Sequence, residues 1–546
     1  MNGPAAGDGP LTGGDLLVAS LIANGLDTIF TLPGLQLDPA FDALAKRPHD
    51  VRVLHTRHEQ GAAYMADGFA RVTGRPSMCM VVPGPGLLNA MAGLATAYAC
   101  SSPVLCVTGQ TPSGTIDAGL GLLHEIKNQL EMVRAVVKWS GRAMHPEDIP
   151  DLLFLAVTEM LTGRPLPAEV EIPPDVLAAV TPTAPEIRVA EGRRAVPDTD
   201  ALARAGELLL GAQRPLIMAG GGVIRSGAGE QVTALAERLG APVIMTTNGK
   251  GSLSARHALA FEATAIPHLL PAADVVVAVG TRFAPRNGTR WPLRGHQTLI
   301  KVDAEAAELT RGIAPHVSIE GDARAVTELL VDLLPAGSKG GPAWRELDGL
   351  RLRLRNEADA ILPQAQYGRV IRDTLSDDTI VIDGMNQVGY WSRFGYPVYT
   401  PRTFISPGYQ GTLGFELPTG LGAQVGAPDQ RVVILAGDGG FMFNVGELAT
   451  AVQHKINAIT IVFNDNAYGN VLRTQDDDYG GRRIASDLVN PDFMKLADSF
   501  GVPGMRAEGP DDLGRCLRIA LDDDRPTIIE VPVKKMHDPW PLIQGH

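Results

Sequence analysis

The chain has 546 residues, 45% of them hydrophobic and 20% charged, with a formal net charge of −13. At roughly 100–200 residues per domain, that length implies about three domains, and the composition is that of an ordinary globular protein. The acidic balance without a basic cluster excludes a nucleic-acid binder, and apolar runs no longer than a strand exclude a membrane span.

The first ten residues carry neither the basic nor the apolar region of a signal peptide. The four cysteines, Cys79, Cys100, Cys106 and Cys516, show no CxxC and no metal-ligand spacing. Cys79 and Cys106 sit in apolar runs and are predicted to be buried thiols; a reducing cytoplasm is the expected location.

In chain order, Thr12 caps a predicted helix over Asp15–Ile22, which Asn24-Gly25 stops. Strands are predicted at Thr28–Leu32, Ser77–Val82 and Pro103–Thr108, closed by Pro33-Gly34, Pro83–Gly86 and Gly109-Gln110. A Pro, Ala, Thr and charge-rich stretch near 180–197 is a linker. Next come strands at Pro215–Ala219, Pro242–Thr246, Asp274–Val279 and Leu299–Val302, and a boundary over Pro335–Pro342. The last segment has strands at Thr379–Ile382, Arg431–Ala436, Ala458–Phe463 and Thr527–Val531. Strands alternating with helical patterns predict an α/β chain of doubly wound, mostly parallel sheets. The three domains are expected at 1–180, 195–340 and 360–546, and the first and third look like similar units.

The run from Arg431 to Ala436 reads as a strand buried on both faces. Gly437-Asp438-Gly439-Gly440 follows it, with a helix expected from about Gly446. The next strand ends in Asn464-Asp465-Asn466-Ala467-Tyr468-Gly469. Two oxygen-bearing clusters thus fall at the carboxyl ends of consecutive strands, the edge where open α/β sheets bind ligands. Glycines let backbone N–H groups approach a diphosphate, and a helix N-terminus adds positive potential. Asp438 and Asp465, 27 positions apart, supply hard oxygens of the kind Mg²⁺ takes together with phosphate. A Gly-Asp-Gly tripeptide alone is an ordinary turn; the spacing to an Asn-rich strand end is what adds weight.

This pattern resembles the thiamine-diphosphate enzymes, whose signature is GDG, some 25 residues, then NN. The resemblance implies Mg²⁺ held by the side chains of Asp438 and Asp465 and by the carbonyl of Ala467. Asp465 departs from the family, where the second Asn stands. The run Arg57–Arg71 matches the family's RHEQ…MADGYAR helix over most of its length. Its positions 62, 65, 66, 69 and 70 share one face, and Glu59 lies near its start, where any carboxylate is favoured by the helix dipole.

The resemblance makes Glu59 the activating carboxyl. It would donate a hydrogen bond to the aminopyrimidine N1′, favouring the imino tautomer that takes the proton from thiazolium C2. To donate, Glu59 must keep a proton, so a buried apolar setting is expected.

Further matches follow in order. Phe30–Gly34, with Pro33 and Gly34, resembles FGxPG. Val82–Asn89, with Pro85 and Asn89, resembles TSGPGATN with Pro83 in place of Ser. Thr108-Gly109-Gln110 resembles the GQ strand end. Met385-Asn386-Gln387-Val388 resembles the GQH stretch at the diphosphate, with Val388 at the His position. Gly411-Thr412-Leu413-Gly414 resembles GTMG, in which Leu413 would prop the bent cofactor. Gly437, Gly439, Gly440, Tyr468 and Gly469 complete the expected cofactor contacts. The likeness runs from about Thr12 to Val533.

Acetolactate synthases are the nearest general resemblance. They imply decarboxylation of a small, pyruvate-like 2-oxo acid and ligation to a second carbonyl. The expected assembly is a homodimer or homotetramer with active sites at the subunit interface. Several substrate-facing positions differ. Leu122–Ile126 replaces the DAFQE loop, with His124 at the Gln position, and Gly280-Thr281-Arg282-Phe283 resembles GARF, followed by Ala284-Pro285 in place of DD.

Gln110, His124 and Arg282 are the candidate substrate contacts, and His124 has a pKa useful for proton transfer. Each has a bland alternative, a structural histidine or an ordinary salt bridge. Trp540 caps the pocket or packs the tail. Gly220-Gly221-Gly222, Thr246-Thr247, Arg282, Asp303 and Gly321-Asp322 are compatible with FAD in the middle domain or with an empty structural Rossmann-like domain; a glycine triplet alone decides nothing. A simple 2-oxo-acid decarboxylase, an acyloin lyase, a nicotinamide or flavin oxidoreductase and a non-catalytic paralog remain the competing classes.

Overall fold

The computed structural model describes residues 11–181, 185–283, 293–335 and 344–544. The first ten residues, Ala284-Pro285 and all but the first residue of the expected boundary over 335–342 lie outside these. The chain divides into two compact bodies: residues 1–193, 409–429 and 442–458 form one, and 194–408, 430–441 and 459–546 the other.

The first body holds a six-stranded parallel sheet: β1 (Thr28–Thr31), β2 (Arg52–His55), β3 (Ser77–Val81), β4 (Val104–Gly109), β5 (Trp139–Arg142) and β6 (Ala168–Ile172). Their order is β2-β1-β3-β4-β6-β5. The second body holds two more parallel sheets. The middle one contains β7 (Pro215–Ala219), β8 (Val243–Met245), β9 (Ala260–Glu262), β10 (Val275–Val279), β11 (Thr298–Asp303) and β12 (Val317–Glu320), ordered β9-β8-β7-β10-β11-β12. The last contains β13 (Ile380–Asp383), β14 (Phe404–Ile405), β15 (Val432–Gly437), β16 (Ile459–Asn464), β17 (Gly504–Arg506) and β18 (Thr527–Pro532), ordered β14-β13-β15-β16-β18-β17. The first and third sheets share one topology; the middle sheet has the Rossmann order.

Two-sided burial explains the apolar runs. In β7, Ile217 and Ala219 enter one core while Leu216 and Met218 enter another on the opposite face. In β10, Val275, Val277 and Val279 alternate in the same way with Val276 and Ala278. A strand covered on both sides has no polar face to present.

The helix α1 (Gly13–Ala23) starts at the expected Thr12 with a reciprocal capping box. Asp15 N–H donates to Thr12 Oγ1 at 3.1 Å, and Thr12 N–H to the Asp15 carboxylate at 3.0 Å. The helices that matter for the site are α2 (Glu59–Thr73), α3 (Pro85–Cys100), α4 (Gln387–Gly395), α5 (Glu416–Gly426), α6 (Asp438–Phe443), α7 (Glu447–His454) and α8 (Gly469–Asp477).

Sequence periodicity gave α2 one apolar face. The structure instead buries it on every side from Gly61 to Ala70, because it packs against both α3 and α5. Small residues allow that approach: a Cβ on Gly422 of α5 would stand 1.9 Å from Met65 O. At Gly437–Gly440 the strand ends on Gly437 and Asp438 opens the short helix α6 directly after it, where an isolated Gly-Asp-Gly would be an ordinary turn.

Candidate functional site

In the first sheet the strand order reverses between β1 and β3, and the loops after those strands and after β2 collect at one edge. Gly34 follows β1; a Cβ there would meet Val82 Cγ1 at 2.5 Å. Gly84 has φ +60°, and its Cβ would strike His124 O at 2.3 Å, so only glycine lets the two loops touch. Glu59 is the first residue of α2 and is 8% exposed. Asn89 on α3 donates through Nδ2 to Glu59 Oε2 at 3.0 Å. The other oxygen, Oε1, faces Gly86, where a Cβ would stand 3.4 Å from it. Thr412 lies in the same body, where Tyr64 Oη donates to its Oγ1 at 3.2 Å; Leu413 beside it is half-buried.

His124 adopts the left-handed conformation, φ +66°, which is uncommon for a side-chain-bearing residue. Its Nδ1 is buried and has no hydrogen-bond partner among the described residues. The loop bearing it is closed by Glu125, whose carboxylate accepts Gly119 N–H at 2.7 Å and Leu122 N–H at 3.0 Å. Gln110, in contrast, is committed to the scaffold. Its Nε2 donates to Glu171 Oε1 at 2.8 Å and its Oε1 accepts Thr111 N–H at 2.7 Å.

In the third sheet the order reverses between β13 and β15, and the expected residues again stand at that point. Asn386 caps α4, accepting Gly389 N–H at 2.9 Å, and donates to Leu435 O of β15 at 2.8 Å. Gln387 Oε1 accepts from Arg473 of α8 at 3.1 Å. Asp438 follows β15 and Asp465 follows β16; both are largely withdrawn from water. Burial raises the proton affinity of Asp438, and burial, then the charge of Asp438, pushes Asp465 up to about 7. Such a pair titrates together and not as two independent carboxyls.

Ala467 N–H donates to Asp465 Oδ1 at 3.2 Å, and a Cβ on Gly469 would lie 2.3 Å from Asp465 Oδ2. Tyr468 packs over Gly439, where a Cβ would stand 2.7 Å from its ring.

A residue without a local sequence signal completes this edge. Asn490 Nδ2 donates to Asp438 Oδ2 at 2.6 Å, Asn464 Oδ1 at 3.1 Å and Asn466 Oδ1 at 3.3 Å. Among the described residues no Lys or Arg pairs with Asp438 or Asp465; Asn490 and the Ala467 N–H are the donors here, and such an oxygen-rich edge fits a hard cation. No group of three or more His, Cys, Asp or Glu side chains forms a metal site among the described residues. Two carboxylates beside amide oxygens are a donor set of the kind Mg²⁺ takes together with phosphate oxygens and water.

Trp540 reaches this region, its ring 5.0 Å from that of Tyr390 and its Nε1 donating to Asn470 Oδ1 at 2.6 Å. In the middle sheet Arg282 pairs with Glu308 at 3.6 Å. The Gly220–Gly222 triplet packs backbone to backbone against Gly280: a Cβ on Gly220 would meet Gly280 O at 2.2 Å, and one on Gly222 would meet Gly280 Cα at 2.6 Å. Close loop packing therefore accounts for these glycines.

Three family models match the chain. The N-terminal TPP-binding domain of thiamine pyrophosphate enzymes matches residues 11–132, the central domain 202–330 and the C-terminal TPP-binding domain 384–531. The chain belongs to the thiamine pyrophosphate enzymes. Within that family it is acetolactate-synthase-like. It is 32% identical to a probable acetolactate synthase large subunit of Methanocaldococcus jannaschii, over 96% of this chain and 92% of the relative. It is 31% identical to the large subunit of acetolactate synthase isozyme 3 of Escherichia coli, over 97% and 96%. It is also 35% identical to a probable 2-ketoarginine decarboxylase of Pseudomonas aeruginosa, over 95% and 94%. No helix among the described residues is long and apolar enough to cross a membrane.

Proposed function

We propose that the chain decarboxylates a small, pyruvate-like 2-oxo acid and joins the remaining acyl unit to a second carbonyl compound. The observation that carries this is the pairing of a buried, Asn89-held Glu59 at one switch point with the Asp438–Asp465 oxygen pair at the equivalent point of the third sheet. Thiamine diphosphate, when bound, supplies the electron sink for decarboxylation.

The chain supplies the rest. Glu59 holds a proton toward the aminopyrimidine, and Asn89 fixes its other oxygen. Asp438, Asp465 and the carbonyl of Ala467 hold Mg²⁺, with Asn490 steadying the Asp438 carboxylate. Pro33, Gly34, Pro85, Asn386, Gln387, Thr412, Leu413, Gly437, Gly439, Gly440, Tyr468 and Gly469 shape the cofactor's seat. His124, with an unpartnered buried nitrogen in a strained loop, is the substrate-side proton carrier. A homodimer or homotetramer with active sites at the subunit interface, working in the cytoplasm, completes the reading; four buried free cysteines agree with a reducing compartment.

A second reading, simple decarboxylation of a longer 2-oxo acid, is favoured by the similarity to the probable 2-ketoarginine decarboxylase. Product analysis decides between them. Purified protein with thiamine diphosphate and Mg²⁺ is given pyruvate or 2-ketoarginine, each with and without an added carbonyl acceptor. Acetolactate or another ligated product supports the carboligase. A free aldehyde from 2-ketoarginine, with pyruvate untouched, replaces it with the decarboxylase.

A further inference from the structure

Helix α2 opens at Glu59, and the backbone feeding into it is gripped from far along the chain. Arg57 N–H lies 3.1 and 3.2 Å from the two carboxylate oxygens of Glu447, and His58 N–H lies 3.0 Å from Oε1. Thr450 Oγ1 donates to Oε2 at 2.6 Å. Glu447, in the first turn of α7, is 1% exposed and 390 positions from Arg57. Burial raises its proton affinity, and the hydrogen bonds from Thr450, Arg57 and His58 oppose that rise. A Cβ on Gly61 would stand 2.4 Å from Glu447 Oε1, so the carboxylate rests directly on the first turn of α2.

A cap alone does not explain this arrangement. His58 Nδ1 already accepts Gln60 N–H at 3.1 Å as the helix cap, and a buried carboxylate is costly unless every acceptor is used. The same segment also reaches Gln60: Asn444 Nδ2 donates to Gln60 Oε1 at 3.3 Å and to Gly414 O at 2.6 Å. Residues 57, 58 and 60, on both sides of Glu59, are thus fixed by one short stretch of chain.

We propose that Glu447 is a positioning residue for Glu59: it clamps the backbone entering α2 and so sets where the Glu59 carboxyl stands. The inference rests on the role given to Glu59 above. Without the clamp two backbone N–H groups lose their acceptor, the entry to α2 relaxes, and the carboxyl drifts. A misplacement of about 1 Å costs on the order of 10²-fold in rate.

The test compares Glu447→Ala, Glu447→Asp and Glu447→Gln with Glu59→Gln. Amide hydrogen exchange at residues 57–60 is read in the cofactor-free protein. The C2-proton exchange of added thiamine diphosphate and its dissociation constant are read with Mg²⁺ across pH. Glu447→Ala should raise amide exchange at 57 and 58 and slow C2-proton exchange about 10–10²-fold at an unchanged dissociation constant. Glu447→Gln, which keeps an acceptor oxygen, should recover most of that rate.

C2-proton exchange within about twofold of the parent in Glu447→Ala, beside a slow Glu59→Gln, overturns the positioning role alone. Unchanged exchange in Glu59→Gln overturns the role of Glu59 itself. Should Glu447→Ala fail to fold, Glu447→Asp decides: its shortened carboxylate should slow exchange several-fold, and a parental rate overturns the proposal.

Discussion

The first and third sheets share more than a strand order. In each, an arginine on the edge strand pairs with a glutamate on the neighbouring strand: Arg142 with Glu171, and Arg506 with Glu530. In each, that glutamate also holds an amide side chain at the end of the next strand, Gln110 at 2.8 Å and Asn464 at 2.9 Å. The relay fixes where the fourth strand ends. After the amide the two part: Thr111 follows in the first sheet and Asp465 in the third. The first sheet carries the carboxyl of Glu59 at a helix start, the third the carboxyls of Asp438 and Asp465 directly after two strands. One scaffold thus serves two chemistries, because the scaffold sets positions and the loop residues set function.

The largest way to separate the two edges acts on the first. Glu59→Gln should leave cofactor affinity near the parental value and cut C2-proton exchange by about 10²–10⁴-fold, the range for general acid–base groups; parental exchange removes Glu59 from the mechanism. Asp438→Ala should do the reverse in kind, weakening Mg²⁺-dependent thiamine-diphosphate binding by on the order of 10²-fold. Titration calorimetry with and without Mg²⁺ reads this, and tight binding that survives means the third edge is misassigned.

The smallest effect concerns the interior of the first sheet alone. Glu169 on β6 is fully buried beside Thr108, and burial, then the charge of Glu171, pushes its carboxyl well above the ordinary range. A raised folded-state pKa gives stability that is present below the unfolded value and lost as pH rises through the folded one. Glu169→Gln should therefore melt near the parent at pH 5 and increasingly above it toward pH 8. A margin that shrinks with pH contradicts a protonated Glu169.

What the sequence showed and what it hid follow one physical divide. Interior strands such as β7, β10 and β15 are buried on both faces, so their apolar runs announce them. The strands it did not show are the sheet edges β2, β5, β9, β12, β14 and β17, each four residues or fewer, together with β6, whose Glu169 and Glu171 break the apolar run. The same divide runs through the site. Glu59 and Asp438 sit in contiguous motifs. Glu447 and Asn490 meet Arg57, His58 and Asp438 far along the chain, and nothing near them in sequence betrays it. Gln110 and Arg282 are legible as polar candidates, yet their partners Glu171 and Glu308 are not.

All four cysteines are buried, and none is in a disulfide. Three of them, Cys79, Cys100 and Cys106, belong to the first body and Cys516 to the second. An alkylating reagent can reach none of them until the packing around it opens. The chain therefore carries a built-in clock for its own breathing, and the number of labels bound, three before one or one before three, tells which body loosens first.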